Sequence, residues 1–371
     1  MRVQIVDPSA FTPPYDHSLC AALARAGTDV ELVTSRFQYG PVPAGEGYAV
    51  NHLFYRRTTR RGLGARGRPL LKLAEHVPDM LRHRRHAMEA DLVHYQWLTV
   101  QPLDARLLAG GRPLVLTAHD VIPREPRPGQ IAATRRLVGR MDAVVVHSEH
   151  GAQRLREELG ADGERVRVIP HGAFDYLTRL PEEQPLPAEL AAVEGPVILC
   201  FGLMRHYKGI DILLEAFRQL DGAELWVVGM PRLPLAPLRE LAARAGGTVR
   251  FVDRFVTDPE IPAFFRRADV VVLPYREIDQ SGVLYTALAF GKPLVLSAVG
   301  GFVEVAERHG AGRLVPPGDP AALSEALSQV LGDDEERMRL GAAAAAAAAG
   351  PYSWDAVAEQ TQALYQELLQ R

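Results

Sequence analysis

Short, wholly apolar runs alternate with helix-patterned runs along almost the entire chain, and this alternation restricts the fold more than any other feature. Val270-Val-Val-Leu273 is the clearest case: four apolar residues with no polar face. Such a strand suits a parallel sheet covered on both sides. In the first half, strands are expected at Val3–Val6, Val30–Thr34, Leu92–Tyr95, Leu114–Thr117, Ala143–His147 and Val166–Ile169. The helical runs between them are Asp16–Ala26, Gln130–Arg140 and Glu149–Leu159. In the second half, strands are expected at Val197–Phe201, Leu225–Val228, Val249–Val252, Val270–Leu273 and Leu294–Ser297. Helices there are Asp211–Leu220, Leu238–Ala245, Ala263–Arg267, Gly282–Phe290 and Pro320–Leu331. This order points to doubly wound α/β domains. At 371 residues the chain is too long for one ordinary core, so two such domains are expected, facing a cleft.

The pattern breaks at Thr178–Ala192, which is Pro- and Glu-rich and unpatterned. It reads as a linker. The expected division is an N-terminal domain over 1–177, a linker over 178–194, a C-terminal domain over 195–350 and a closing helix over 351–371 that packs back on the first domain. Gly341–Gly350, almost all alanine, reads as a helix without chemistry. A net charge of -3 gives no electrostatic argument for nucleic-acid binding. Two distant cysteines, Cys20 and Cys200, exclude a disulfide scaffold and a cysteine-rich metal site. The first residues read as a strand rather than a signal peptide, and no apolar run reaches the ~18 residues of a membrane span. A cytoplasmic protein is expected.

Two loops carry the chemistry. Phe201-Gly-Leu-Met-Arg-His-Tyr-Lys-Gly209 follows one expected strand, and Tyr275-Arg-Glu-Ile-Asp-Gln-Ser-Gly-Val283 follows another. Gly202 permits close ligand approach. Arg205 offers a guanidinium fork and Lys208 a point charge for phosphate oxygens. Ser281 is a good helix N-cap residue, after which Gly282, Val283 and Leu284 expose N–H groups at the positive end of the helix dipole. Glu277 and Asp279 are placed to bind sugar hydroxyls. Val299-Gly-Gly-Phe-Val-Glu304 opens another turn beside the same pocket, with Glu304 in the first turn of a helix. The loops together suit a nucleotide diphosphate. Read singly, the same residues are solvated loop cations, a simple cap and a solvated acidic turn.

This ordering resembles glycosyltransferase family 4, a retaining group with the GT-B fold of two Rossmann-like domains. The likeness rests on Phe201–Phe217, Pro274-Tyr275, Gln280-Ser-Gly-Val283, Ala289-Phe-Gly-Lys-Pro293 and Val299–Glu304. It implies a nucleotide-sugar donor, independence of metal and of any cofactor, and a diphosphate held by Arg205, Lys208 and the Ser281–Val283 amides. Many members carry a Glu-x7-Glu pair whose two acids fall here on Ile278 and Thr286, so the chain resembles a subgroup with Gln-Ser-Gly in its place. Thr286 then stands where the ribose contact usually sits.

On the acceptor side, Pro113–Thr117 ends in Ala118-His119-Asp120. A His–Asp pair at a strand end can do acid–base work or position a hydroxyl, and it can equally be a polar strand terminus. The resemblance places His119 near the reacting sugar. After Asp7, the loop Pro8–Tyr15 lacks the family's paired glycines, and Asp16 and His17 are acceptor-contact candidates. Residues Arg56–Arg85 are basic and amphipathic, which suits either contact with anionic lipid at the inner face of a membrane or a solvated loop and helix. The function expected is transfer of a sugar to a hydroxyl acceptor, lipid-linked or a polysaccharide precursor. The rivals are a nucleotide-sugar 2-epimerase of the same architecture and a non-catalytic subunit that binds glycan or nucleotide.

Overall fold

The computed structural model describes residues 1–42, 45–59, 68–98, 100–122 and 128–371, and for residues 68 and 69 the backbone alone. The chain divides into two compact units, Met1–Gly172 with Trp354–Arg371, and Ala173–Ser353.

The first unit is built on β1 (Arg2–Asp7), α1 (Pro13–Arg25), β2 (Asp29–Thr34), β3 (Ala49–His52), α2 (Arg68–His86), β4 (Leu92–Tyr95), α3 (Gln101–Leu107), β5 (Leu114–Thr117), α4 (Gln130–Val138), β6 (Ala143–Val146), α5 (Glu149–Leu159) and β7 (Val166–Val168). Its seven strands run in the order β3-β2-β1-β4-β5-β6-β7, and every pairing is parallel. Strand order reverses between β1 and β4, so ligands are expected outside the carboxyl ends of that pair.

In the second unit, α6 (Ala188–Ala191), β8 (Val197–Phe201), α7 (Ile210–Phe217), β9 (Glu224–Val228), α8 (Ala236–Ala242), β10 (Thr248–Val252), α9 (Ile261–Arg267) and β11 (Val270–Leu273) are followed by α10 (Gly282–Ala289), β12 (Leu294–Ser297), α11 (Gly301–His309), β13 (Gly312–Val315), α12 (Pro320–Gly332) and α13 (Asp334–Ala349). The six strands run β10-β9-β8-β11-β12-β13, again all parallel. Here the reversal lies between β8 and β11, the two strands that the diphosphate loops follow.

Two local results depart from the sequence reading, and a third agrees with it and adds a packing reason. Residues 178–194 are strapped to the second unit: Leu190 is buried, Arg266 pairs with Glu183 at 2.5 Å, and Gln184 N–H donates to the Pro259 carbonyl at 2.8 Å. Prolines keep regular structure there to the short helix α6, and Leu190 on it is the apolar anchor. The edge strands β3 (AVNH) and β13 (GRLV) lack fully apolar runs because an edge strand keeps one side in water. The alanine helix α13 packs where large side chains would not fit: a Cβ on Gly291 would lie 3.3 Å from Ala345 Cβ.

The C-terminal helix α14 (Trp354–Gln370) completes the first unit by packing on α1. It buries Trp354, Val357, Ala358, Thr361, Leu364, Tyr365 and Leu368, one stripe at helical spacing. Its Tyr365 hydroxyl meets His94 Nδ1 at 2.6 Å, while His94 Nε2 meets Thr117 Oγ1 at 2.7 Å. Among the described residues, no helix is long and apolar enough to cross a membrane.

His94 is buried on β4, and burial pushes it down to about 3, with His147 adding repulsion. His83 on α2 is buried too and pushed down to about 4. An unfolded histidine titrates near 6.5, so below that pH the unfolded chain binds protons that these folded sites refuse. Their contribution to stability is whole above about pH 6.5 and is lost as pH falls toward 4, at up to about 1.4 kcal/mol per pH unit for each histidine. Urea unfolding at pH 7 and pH 5 should show this loss, and His94→Gln should flatten it; an unchanged pH slope in that variant would contradict the assignment.

Candidate active site

In the second unit, β8 ends at Phe201 and the chain turns at Gly202 with φ +100. A Cβ there would lie 2.7 Å from Lys208 Nζ and 3.0 Å from Val283 Cγ2, so only glycine lets the amine lie over the backbone. Lys208 closes a short 3-10 turn (His206–Lys208) and is 5% exposed. Its Nζ donates to the Phe201 carbonyl at a long 3.4 Å and stands 5.1 Å from the centre of the Tyr275 ring. Its charge is felt at Cys200, whose thiol burial pushes up to about 11 against the pull of Lys208.

Arg276 ties the two loops together. Its backbone N–H donates to the Tyr207 carbonyl at 2.7 Å, and its guanidinium donates to the His206 carbonyl at 2.9 Å and to Asp211 at 2.9 and 2.6 Å. Beside them α10 begins. Ser281 holds the N-cap position, but its side chain makes no capping bond; its hydroxyl lies 3.2 Å from the Tyr275 hydroxyl. Leu284 N–H is used by the Ser281 carbonyl at 3.0 Å, so the amides left open at this end are those of Gly282 and Val283, among the described residues. The helix behind them is fixed by burial of Leu284, Tyr285, Thr286, Ala287 and Leu288.

The 299–301 turn closes the same end of the sheet. Gly300 has φ +49, and a Cβ there would lie 1.8 Å from the Ile278 carbonyl oxygen. Gly301 N–H donates to the Asp279 carbonyl at 3.3 Å, and Tyr285 donates to Gln280 Oε1 at 2.9 Å.

The structure therefore gathers Gly202, Lys208, Ser281, Gly282 and Val283 at the β8/β11 reversal, with Asp279 buried behind them. Arg205 and Glu277 are exposed on the loops around them. Two of the expected donor contacts have partners within the protein. Thr286 is buried and its hydroxyl donates back to the Gly282 carbonyl at 2.9 Å, so it is satisfied inside its own helix. Glu304 stands 4.0 Å from Arg308 and close enough to Tyr352 to raise that phenol, after burial, to about 12. The sequence reading passed over Tyr275 and Arg276 as site residues, although both lie in the quoted motif.

In the first unit, Asp7 ends β1 and accepts the N–H groups of Ser9 at 3.0 Å, Thr12 at 3.3 Å and Phe11. Asp16 lies buried against it. Burial, then the charge of Asp7, hold Asp16 well above the usual carboxylate range, and burial raises Asp7 as well. Asp16 and His17 are thus not on an open face. His17 Nδ1 meets the Tyr48 hydroxyl at 2.5 Å, and burial pushes His17 down to about 4. Both border a cavity of about 20 Å³, room for roughly one water.

His119 follows β5 and sits in an aromatic cage. Trp97 stacks on it with centroids 5.0 Å apart, Tyr15 meets it edge-on at 4.7 Å, and His147 lies 5.0 Å away. His119 Nδ1 is 3.2 Å from His147 Nε2, and His119 Nε2 is 3.1 Å from Gln96 Oε1. His147 Nδ1 is 3.0 Å from the Ile169 carbonyl. Burial, then the neighbouring histidines, hold His119 well below its ordinary value. Asp120 is half-buried next to it. His147 and Trp97 were missed because each ends an apolar run or follows one, where a polar or aromatic terminus is unremarked. Gly172 lies under Trp354: a Cβ there would meet the indole at 2.4 Å.

The comparisons with known proteins agree with this geometry. Residues 195–333 match the family described as glycosyl transferases group 1, and residues 15–173 match Glycosyltransferase Family 4. The D-inositol 3-phosphate glycosyltransferase of Xylanimonas cellulosilytica is 32% identical, over 96% of this chain and 91% of that one. The D-inositol 3-phosphate glycosyltransferase 1 of Catenulispora acidiphila is 31% identical, over 76% and 73%. Among solved structures, sucrose-phosphate synthase from Thermosynechococcus elongatus matches with a TM-score of 0.76 at 21% identity, over 100% of this chain and 99% of that one. HepE of Anabaena, solved in complex with UDP-glucose, matches with a TM-score of 0.76 at 20% identity, over 99% and 100%. The last two likenesses establish the GT-B fold. The named relatives are transferases, so neither the epimerase nor the non-catalytic reading is favoured. The chain belongs to glycosyltransferase family 4, and it is an enzyme of glycosyl transfer.

Proposed function

We propose that the enzyme takes its sugar from a nucleotide-diphosphate donor and passes it, with retention at the anomeric carbon, to a hydroxyl of the acceptor. The observation that carries this reading is the buried Lys208 amine lying over Gly202, beside the open amides of Gly282 and Val283. Cleavage of the glycosidic bond puts negative charge on the departing diphosphate. An ammonium and two helix-start amides, fixed before reaction in a site of low dielectric, stabilise that charge more than water does. Arg205, exposed at the rim, adds a guanidinium fork to the outer phosphate. Glu277, Asp279 and Glu304 are the acids of the same unit that remain for sugar hydroxyls. The solved HepE complexes hold UDP-glucose or UDP, which supports a nucleotide sugar as donor.

The proton of the acceptor hydroxyl goes to the departing phosphate, on the same face, rather than to His119. The Ile169 carbonyl can only accept, so His147 carries its proton on Nδ1 and presents a lone pair at Nε2. His119 Nδ1–H donates to that lone pair. His119 Nε2 is then an acceptor, and it faces Gln96, whose amide nitrogen otherwise has no partner. Turning the Gln96 amide over resolves both, since O and N of an amide exchange by rotation. With both ring nitrogens engaged and the ring held neutral, His119 positions the acceptor rather than deprotonating it.

A lipid-linked acceptor is favoured by one feature of α2. Leu70, Leu73 and Leu81 are exposed at 75%, 50% and 42%, with Arg84 and Arg85 exposed further along. Apolar and basic side chains together suit an anionic bilayer surface. Other parts of the basic segment are committed elsewhere: Arg82 pairs with Asp79 at 2.6 Å, and Lys72 donates to Ser9 Oγ at 3.0 Å. Arg60, Arg61, Leu63 and Arg66 lie outside the described residues.

Four measurements test these readings. UDP, GDP, ADP and dTDP should be compared by thermal shift; the cognate diphosphate at ~100 times its Kd adds about 2.7 kcal/mol. Lys208→Ala should lower kcat by roughly 10²–10³ with the fold intact by circular dichroism, and transfer at the wild-type rate would sink the diphosphate site. Long-range ¹H–¹⁵N spectra at pH 7 should show both His119 and His147 as Nδ1–H tautomers; an Nε2–H His119 would reverse its assigned role. Co-sedimentation with anionic liposomes should fall when Arg84 and Arg85 are changed to Glu, and unaltered binding would reject the membrane contact.

A further inference from the structure

The first unit holds a second cavity, of about 390 Å³, at the exits of β2 and β3. It is lined by Arg36, His52, Phe54, Arg56 and Thr59. Two of the five are cations, a third titrates, and none is acidic. Elsewhere the arginines of this chain commonly stand against carboxylates, as in Arg250–Glu224 at 2.6 Å and Arg276–Asp211 at 2.6 Å. Neither Arg36 nor Arg56 has such a partner among the described residues. They are close enough for both charges, after burial, to hold His52 below its ordinary value.

The walls of this cavity are braced. Arg56 Nε donates to the His52 carbonyl at 2.9 Å, which anchors the guanidinium by one nitrogen and leaves its two terminal ones for a ligand. Gln38 Nε2 bridges the Arg36 carbonyl at 3.3 Å and the Thr59 carbonyl at 3.1 Å, tying the segment after β2 to the segment after β3. Holding like charges together without a counter-ion is unfavourable, and an anion between them turns repulsion into attraction. The cavity also has a direction. It opens at the carboxyl ends of parallel strands, the side where such sheets bind ligands. Through His52 it adjoins the small cavity bordered by Ala10, Pro13 and Thr34, under the loop that follows β1.

We infer that this cavity is an anion subsite that holds a phosphate ester carried by the acceptor, with Arg36 and Arg56 as its guanidinium clamp. That the ester belongs to the acceptor rests on the glycosyl-transfer reading above; the anion site itself does not. Forked guanidinium groups match phosphate oxygens in geometry as well as charge.

Isothermal titration of the full chain, with UDP present to fill the other phosphate site, tests this. The probes are inorganic phosphate and glucose 6-phosphate, with glucose as the uncharged control. Wild type should bind both phosphates and not glucose, and R36Q/R56Q should weaken both by roughly tenfold or more while its response to UDP stays unchanged. Equal phosphate affinity in the two proteins, or phosphate binding by neither, overturns the subsite. Should the double variant fail to fold, the single variants Arg36→Gln and Arg56→Gln decide, and unchanged affinity in both overturns it equally. Preference for inorganic phosphate over the ester overturns the assignment to an acceptor. Arginine-dependent phosphate binding in a chain that ignores UDP retains the anion site and removes the transferase reading instead.

Discussion

An ammonium group taken out of water keeps its charge only where dipoles or anions replace the lost hydration, and the ligand end of the second unit is arranged around that requirement at Lys208. The amine can be buried because Gly202 has no side chain and adopts a left-handed turn. It is held there by the Phe201 carbonyl and by the face of Tyr275, whose hydroxyl in turn meets Ser281 at the start of α10. Arg276 keeps the two loops in register by bonding to the backbone of one from the middle of the other. Each contact is modest alone. Together they place one positive charge beside two unbonded amides before any ligand arrives, which is the preorganisation that stabilises a developing anion.

Both units put their candidate site residues after the carboxyl ends of parallel strands. They use those ends differently. The second unit leaves a helix start open. The first unit pairs its candidate site residues with one another: Asp7 collects the amides of its own loop, Asp16 lies buried against Asp7, and His119 leans on His147 and thence on a carbonyl. A site closed on itself in this way holds neutral rings and fixed hydroxyls, which suits an uncharged reacting group. An open amide turn with a lysine suits a polyanion.

Much of this was legible in the sequence because buried parallel strands carry their signature in four or five letters. β4, β5, β8, β11 and β12 match the expected bounds to the residue. So does the pairing of the two loops, since each follows an apolar strand and precedes a helix. What escaped was written in contacts rather than pattern. β3 and β13 sit at sheet edges and need no continuous apolar run. Ser281 has the chemistry of a cap, yet its hydroxyl is taken by Tyr275, six residues back along the loop, and no spacing rule anticipates that. Asp16 and His17 looked like contacts because they begin a helix near a ligand loop; burial and two neighbours, Asp7 and Tyr48, turned them inward. The meaning of Gly172 depended on Trp354, which lies far along the chain on the helix that returns to the first unit.

The departure at Thr286 is best understood through the same helix. A carboxylate one turn inside α10 would sit near its positive end and offset part of the potential that the open amides create. Threonine removes that opposing charge, and its hydroxyl is satisfied by the Gly282 carbonyl without reaching outside the helix. The neighbouring residues of α10 are apolar and buried, so no second charge enters from that side. The positive character of the site then rests on Lys208 and the Gly282 and Val283 amides, with the acids Glu277, Asp279 and Glu304 kept to loops and to the next helix. In the proposed reading, one small pocket then offers positive potential to a diphosphate from the helix start and hydrogen-bond acceptors to sugar hydroxyls from the loop before it.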